Sequence, residues 1–149
     1  MLPLVFSSIL PVGRREELEA LMFFHPEQRD HTVRINSSIQ SYGFPKILEE
    51  PQGLRIGIAG LEVQTLYAFV VRGAAQELVG VVVYTRVSAD TLALLHMAVK
   101  PEFSFTHGYR NELVLPRMLV QLRAIARQIK GIKRLSIAYA DRVELRTVV

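Results

Sequence analysis

The chain has 149 residues, half of them hydrophobic, and no cysteine. That length suits one domain, residues 1–149, with a full-sized core. The missing thiols exclude a disulfide framework, a cysteine nucleophile and a cysteine-ligated zinc site. The formal charge of +4 and pI of about 9.7 leave room for a phosphorylated cofactor, but the excess is too small to call for nucleic acid as a partner. With no cysteine and no apolar run long enough to span a bilayer, the expected setting is the cytoplasm, with no membrane partner.

The apolar opening Met1–Pro11 has no basic residues before it, and Arg14-Arg15 come after it. It therefore reads as a first strand, Leu2–Leu10, rather than a leader. Arg14–Phe24 has helical spacing through Leu18, Leu21 and Met22. Glu16 and Glu17 fall in its first turns, where the helix dipole favours them, so they read as a solvated start and not as a catalytic pair. His25, Asp30 and His31 match no closed zinc spacing, and no metal site is expected. Val33–Tyr42 has weaker helical spacing with Gly43 as a stop. Phe44-Pro45 resets the chain, and no element is predicted before Gly53.

From Leu54 the pattern turns to strands. Leu54–Ile58 is short and is expected to pair with the next strand. Thr65–Arg72, Leu78–Val87 and Leu92–Val99 are joined by short turns, which predicts an antiparallel meander. The run Val81-Val82-Val83 requires burial on both faces, so its strand should be central. A polar segment, Ser104–Asn111, leads into the helical stripe Glu112–Lys130, where Met118, Leu119, Leu122, Ile125, Ala126 and Ile129 share one arc. Arg123, Arg127 and Lys130 lie beside that arc as a solvated face, and Gly131 is a fitting stop. Pro116 is either the first helical residue or a kink in a helix begun near Asn111. Lys133–Tyr139 reads as a strand parallel to Leu92–Val99, closing a βαβ unit, and Val143–Val149 as one more short strand. The predicted class is α+β, with a mixed, mainly antiparallel sheet.

That element order, with Met97-Ala98-Val99-Lys100-Pro101-Glu102-Phe103 closing the third meander strand, resembles the GNAT superfamily of N-acetyltransferases. There the fourth strand typically ends in a hydrophobic-x-Val-x-Pro-x-aromatic pattern. The resemblance covers residues 1–139 in topology and about ten in motif. It implies an acyl-CoA-dependent N-acyltransferase with acetyl-CoA, or another acyl-CoA, as co-substrate and an amine of unknown identity as acceptor. Backbone groups of Met97, Ala98 and Val99 would bond the pantetheine amides in a gap between splayed strands, since an opened ladder leaves N–H and C=O groups that need partners. The family's pyrophosphate loop would fall on Ser104–Asn111. Gly108 matches its glycine if one residue is inserted. Tyr109 and Arg110 stand where a second small residue is usual, and Arg110 would either pair a phosphate or fill the space.

His96 is the candidate general base, because an imidazole titrates near neutral pH. Its alternative is a hydrogen-bonded strand histidine without chemistry. Alternation places it with Leu94 and Ala98, opposite Leu95, Met97 and Val99. The family normally continues past its fifth strand with a helix and two strands, so this chain reads as C-terminally shortened. The family's general-acid tyrosine has no counterpart, and Tyr139 is not its equivalent. An under-covered fifth strand predicts a homodimer. The second functional reading is a non-catalytic GNAT-like domain that binds CoA or another protein.

Overall fold

The structure is a computed structural model and describes residues 2–23, 45–103, 113–137 and 145–148. In chain order the elements are β1 (Leu4–Ser7), a 3-10 turn (Val12–Arg14), α1 (Arg15–Phe23), β2 (Pro45–Glu50), β3 (Gly53–Ile58), β4 (Gln64–Arg72), β5 (Ala75–Arg86), β6 (Thr91–Val99), a second 3-10 turn (Pro101–Phe103), α2 (Val114–Gln128), β7 (Arg134–Ile137) and β8 (Leu145–Val148). The main sheet has the order β1-β4-β5-β6-β7-β8, and β2-β3 form a separate hairpin. All pairs are antiparallel except β6–β7. This is the mixed α+β arrangement that the apolar periodicity predicts, with its meander and its parallel βαβ return. Val33–Tyr42 lies outside the described residues.

The strands alternate between two cores. Tyr67, Phe69, Val81, Val83, Leu95 and Ala98 face α1 and pack with Leu18, Leu21 and Met22. Leu66, Ala68, Val82, Tyr84, Leu92 and Leu94 face α2 and pack with Val114, Met118, Leu122 and Ala126. β5 is buried almost throughout, Val81, Val82 and Val83 having no exposed surface. It is central because both of its faces are covered, as an unbroken valine run requires.

Three local expectations need correction. First, Leu54–Ile58 pairs with the segment before it. β3 is bonded to β2 from Pro45↔Ile58 to Glu50↔Gly53, and the sequence pattern predicts no strand at β2. A proline is tolerated as the first residue of such a strand, and the turn glycine Gly53 lies so close to Leu10 that a Cβ there would fall 2.5 Å from the Leu10 carbonyl oxygen. The hairpin is tied to β4 by side chains: Thr65 Oγ1 accepts from Ile56 N at 3.0 Å and Tyr67 Oη donates to Leu54 O at 3.0 Å.

Second, Pro116 neither opens α2 nor kinks it. It is the third helical residue, and Arg117 N makes the bond to Leu113 O at 3.0 Å. The first-turn N–H groups have no partner within a helix, so the proline removes a donor the helix does not use. Third, β7 is covered. β8 pairs along its whole length, Arg134↔Val148 to Ile137↔Leu145, so an uncovered fifth strand is no ground for a homodimer.

Candidate functional site

The candidate site lies along the second half of β6. Its first half is held on both sides, by β5 and by the parallel ladder Thr91↔Arg134 to Leu94↔Ile137. Among the described residues that ladder ends at Leu94, while β6 runs on against β5 to Val99↔Gly80. Burial loosens at the same place: Leu92–Leu95 are buried, whereas Met97, Val99 and Lys100 are half-exposed. Met97 and Val99 are thus the half-exposed residues of β6, with Ala98 buried between them.

A β-bulge marks the transition. Tyr84 pairs with Leu94 and Val83 with His96, leaving Leu95 as the extra residue. The bulge breaks the strict alternation expected along this strand. Leu95 joins Ala98 in the core facing α1, while Leu94, Met97 and Val99 face α2. His96 lies directly opposite Val83 and so shares the α1 face with Leu95 and Ala98, not with Leu94. Nothing in the sequence pattern marks the extra residue, because every residue from Leu92 to Leu95 is apolar.

His96 is 8% exposed, and its Nε2 is sealed from solvent with no hydrogen-bond partner among the described residues. Burial among aliphatic side chains pushes its pKa down to about 4, because desolvation disfavours the charged imidazolium. At neutral pH it is an uncharged ring. The hydrogen-bonded strand histidine of the second sequence reading does not describe Nε2.

The end of β6 is fixed by backbone and charge. Lys100 N donates to Val79 O at 2.7 Å and Phe103 N to Lys100 O at 2.9 Å, turning the chain through Pro101–Phe103 into the core facing α2. Lys100 Nζ bonds Glu77 Oε1 at 3.1 Å, and Arg72 lies 3.7 Å from Glu77 Oε2 and over the Phe103 ring at 5.9 Å. This network clamps the exit of β6 to the β4–β5 hairpin. The motif Met97–Phe103 thus has a structural role: its proline starts the turn and its aromatic residue anchors it.

α2 begins without a side-chain cap and without an acidic residue in its first turn. Its N-cap, Leu113, is held at φ 53° and ψ 44°, a left-handed conformation costing about 1–2 kcal/mol for a residue with a side chain. Backbone amides at such a helix start attract anions, although Pro116 supplies none. Gly108, Tyr109 and Arg110 lie outside the described residues, as do His25, Asp30, His31 and Tyr139. Among the described residues no cluster of metal-binding side chains occurs, and no helix is long and apolar enough to cross a membrane.

Comparison with protein-family models, with curated proteins and with solved structures finds no match to this chain. The class rests on the fold alone: a mixed α+β domain with a central sheet between helices, consistent with GNAT-like architecture.

Proposed function

We propose that the chain binds an acyl-CoA along the second half of β6 and transfers its acyl group to an amine. The observation that supports this reading is the change of burial along β6, from buried Leu92–Leu95 to half-exposed Met97 and Val99. Amide-bearing ligands satisfy backbone groups at such a place as a neighbouring strand would, so Met97, Ala98 and Val99 are the proposed pantetheine contacts. The uncapped start of α2 and the loop bearing Gly108, Tyr109 and Arg110 are the proposed phosphate side. Catalysis would rest on holding amine and thioester together and on a backbone donor near Val99 facing the carbonyl oxygen. The carbon–nitrogen bond forms, the carbon–sulfur bond breaks, and the thiolate takes the proton the amine gives up.

His96 is the proposed base. At neutral pH its ring is uncharged, but the burial that lowers its pKa to about 4 also weakens it as a proton acceptor, and its sealed Nε2 has to be reached by displacing apolar neighbours. That seal favours a second reading, CoA binding without turnover. Any homodimer would form through the outer strands, β1 or β8, since β7 is covered.

Calorimetric titration with acetyl-CoA and with desulfo-CoA tests the site. Micromolar binding of both, weakened at least tenfold in Gly108→Trp, is the expected result. No heat and no thermal shift at millimolar ligand would overturn both readings. Binding without thiol release from any of a panel of amines would leave only the second.

A further inference from the structure

The positive charge of this protein is concentrated in one place. Between Glu112 and Asp141 the sequence has no acidic residue and six cations. Removing those six from the eighteen leaves twelve cations against fourteen acids, so the rest of the chain is slightly acidic. The fold then gathers most of them at one corner. Val114, Met118, Leu122 and Ala126 are the buried side of α2, Arg127 falls on its outer side at a step of about 100° per residue, and Lys130 follows in the turn just past the end of the helix at Gln128. Lys133 and Arg134 come next, at the start of β7, their backbone N–H groups bonded to Asp90 O at 2.8 and 3.0 Å. Arg86 arrives from β5, its guanidinium donating to Lys130 O at 3.0 Å.

Among the described residues this corner is almost uncompensated. Asp90 is its one acid, 3.7 Å from Arg134. Arg127, Lys130 and Lys133 are exposed and pair with no described carboxylate. The helix dipole favours cations in the last turn, which accounts for Arg127 but not for Lys133 and Arg134, which lie beyond the helix. Like charges held together at a surface cost stability unless a partner neutralises them.

We propose that this corner, formed by Arg86, Arg127, Lys130, Lys133 and Arg134, binds the phosphate backbone of a nucleic acid. An acidic protein would meet the charge equally well. Protein interfaces, however, are built around a buried apolar or aromatic centre. The large exposed hydrophobic side chains nearby in sequence are two lone valines, Val120 on α2 and Val87 beside Arg86, and no aromatic residue lies between Val114 and Ile137. Phosphate contacts need only cations. The same lack of aromatic rings leaves nothing for bases to stack on, so the binding is independent of sequence and strongly weakened by salt.

Fluorescence anisotropy of a labelled 20-nucleotide oligothymidine and of a labelled 20-base-pair duplex tests this on the full chain. Dissociation constants of about 1–100 μM at low salt are expected for at least one of them, rising with salt with a log–log slope of about −3 to −4. Which of the two binds more tightly distinguishes single from double strands. Arg127→Gln/Lys130→Gln/Lys133→Gln should weaken binding at least tenfold and flatten the slope by two to three units. Arg15→Gln/Lys46→Gln/Arg55→Gln, the same loss of net charge elsewhere, should change it less than threefold. Equal losses in the two variants, tighter binding of polyglutamate than of either oligonucleotide, or no binding at 100 μM protein would each overturn the proposal. Circular dichroism of both variants distinguishes lost contacts from lost fold.

Discussion

His96 and Tyr67 are two buried polar side chains with opposite fates. His96 has no partner for Nε2 and stays neutral, its pKa near 4. In the unfolded chain the same ring titrates near 6.5. Between those values the unfolded state takes up a proton that the folded state refuses, so stability is full above pH 6.5 and is lost as pH falls toward 4. The expected loss at pH 4.5 is about 2–3 kcal/mol. Urea unfolding of wild type and His96→Leu at pH 7 and pH 4.5 measures it, and identical pH dependence in the two would refute a buried neutral imidazole. Tyr67 donates to the carbonyl of Leu54, and burial raises its phenol well out of physiological reach. Tyr67→Phe leaves that buried carbonyl without its donor, at a cost of about 1–2 kcal/mol in a urea titration. A change under about 0.3 kcal/mol would mean that water takes the place of the hydroxyl.

Among the elements, α2 packs on β5 at Gly80 through Met118. A Cβ built there would lie 2.5 Å from Met118 Sδ and 2.9 Å from Cε, and Met118 is fully buried. Glycine at this position serves the packing of helix on sheet and not a turn. Gly80→Ala should destabilise by about 1–3 kcal/mol through overpacking. In a Met118→Ala background the added methyl should cost nothing or restore stability, which a double-mutant cycle by thermal unfolding reads directly. Additive effects would show that the two residues do not share that space. The β2–β3 hairpin teaches a different lesson. Pro45–Glu50 carries little alternation of its own, and it becomes a strand because β3 lies beside it and because Thr65 and Tyr67 hold β3 in place. Such side-chain ties across the chain are not visible as periodicity.

Among the described residues, two helices lie on the two faces of one sheet, and each face has its own core. Bound acyl-CoA would add to that stability by mass action, about 2.7 kcal/mol at a hundred times its dissociation constant, so a rise in Tm with acetyl-CoA is the expected companion of the calorimetric signal. The proposed cofactor contacts lie on the second half of β6, whereas the basic corner lies at the far end of α2 from its Leu113 cap. Each can therefore be removed without touching the other.

The meander, the buried valines of β5, the apolar stripe of α2 and the parallel return of β7 are legible in the order of amino acids alone. Each is written in a local period of apolar residues, and burial on a face is what that period encodes. Met97, Ala98 and Val99 were legible as the end of a strand for the same reason. Folding alone reveals where the pattern is interrupted or completed from elsewhere: the extra residue at Leu95 that carries His96 to the α1 face, the third-position Pro116, the paired β2, and the cover that β8 gives β7. A bulge, a helix start and a strand partner depend on hydrogen bonds between distant backbone groups, and a single stretch of sequence does not contain its partner.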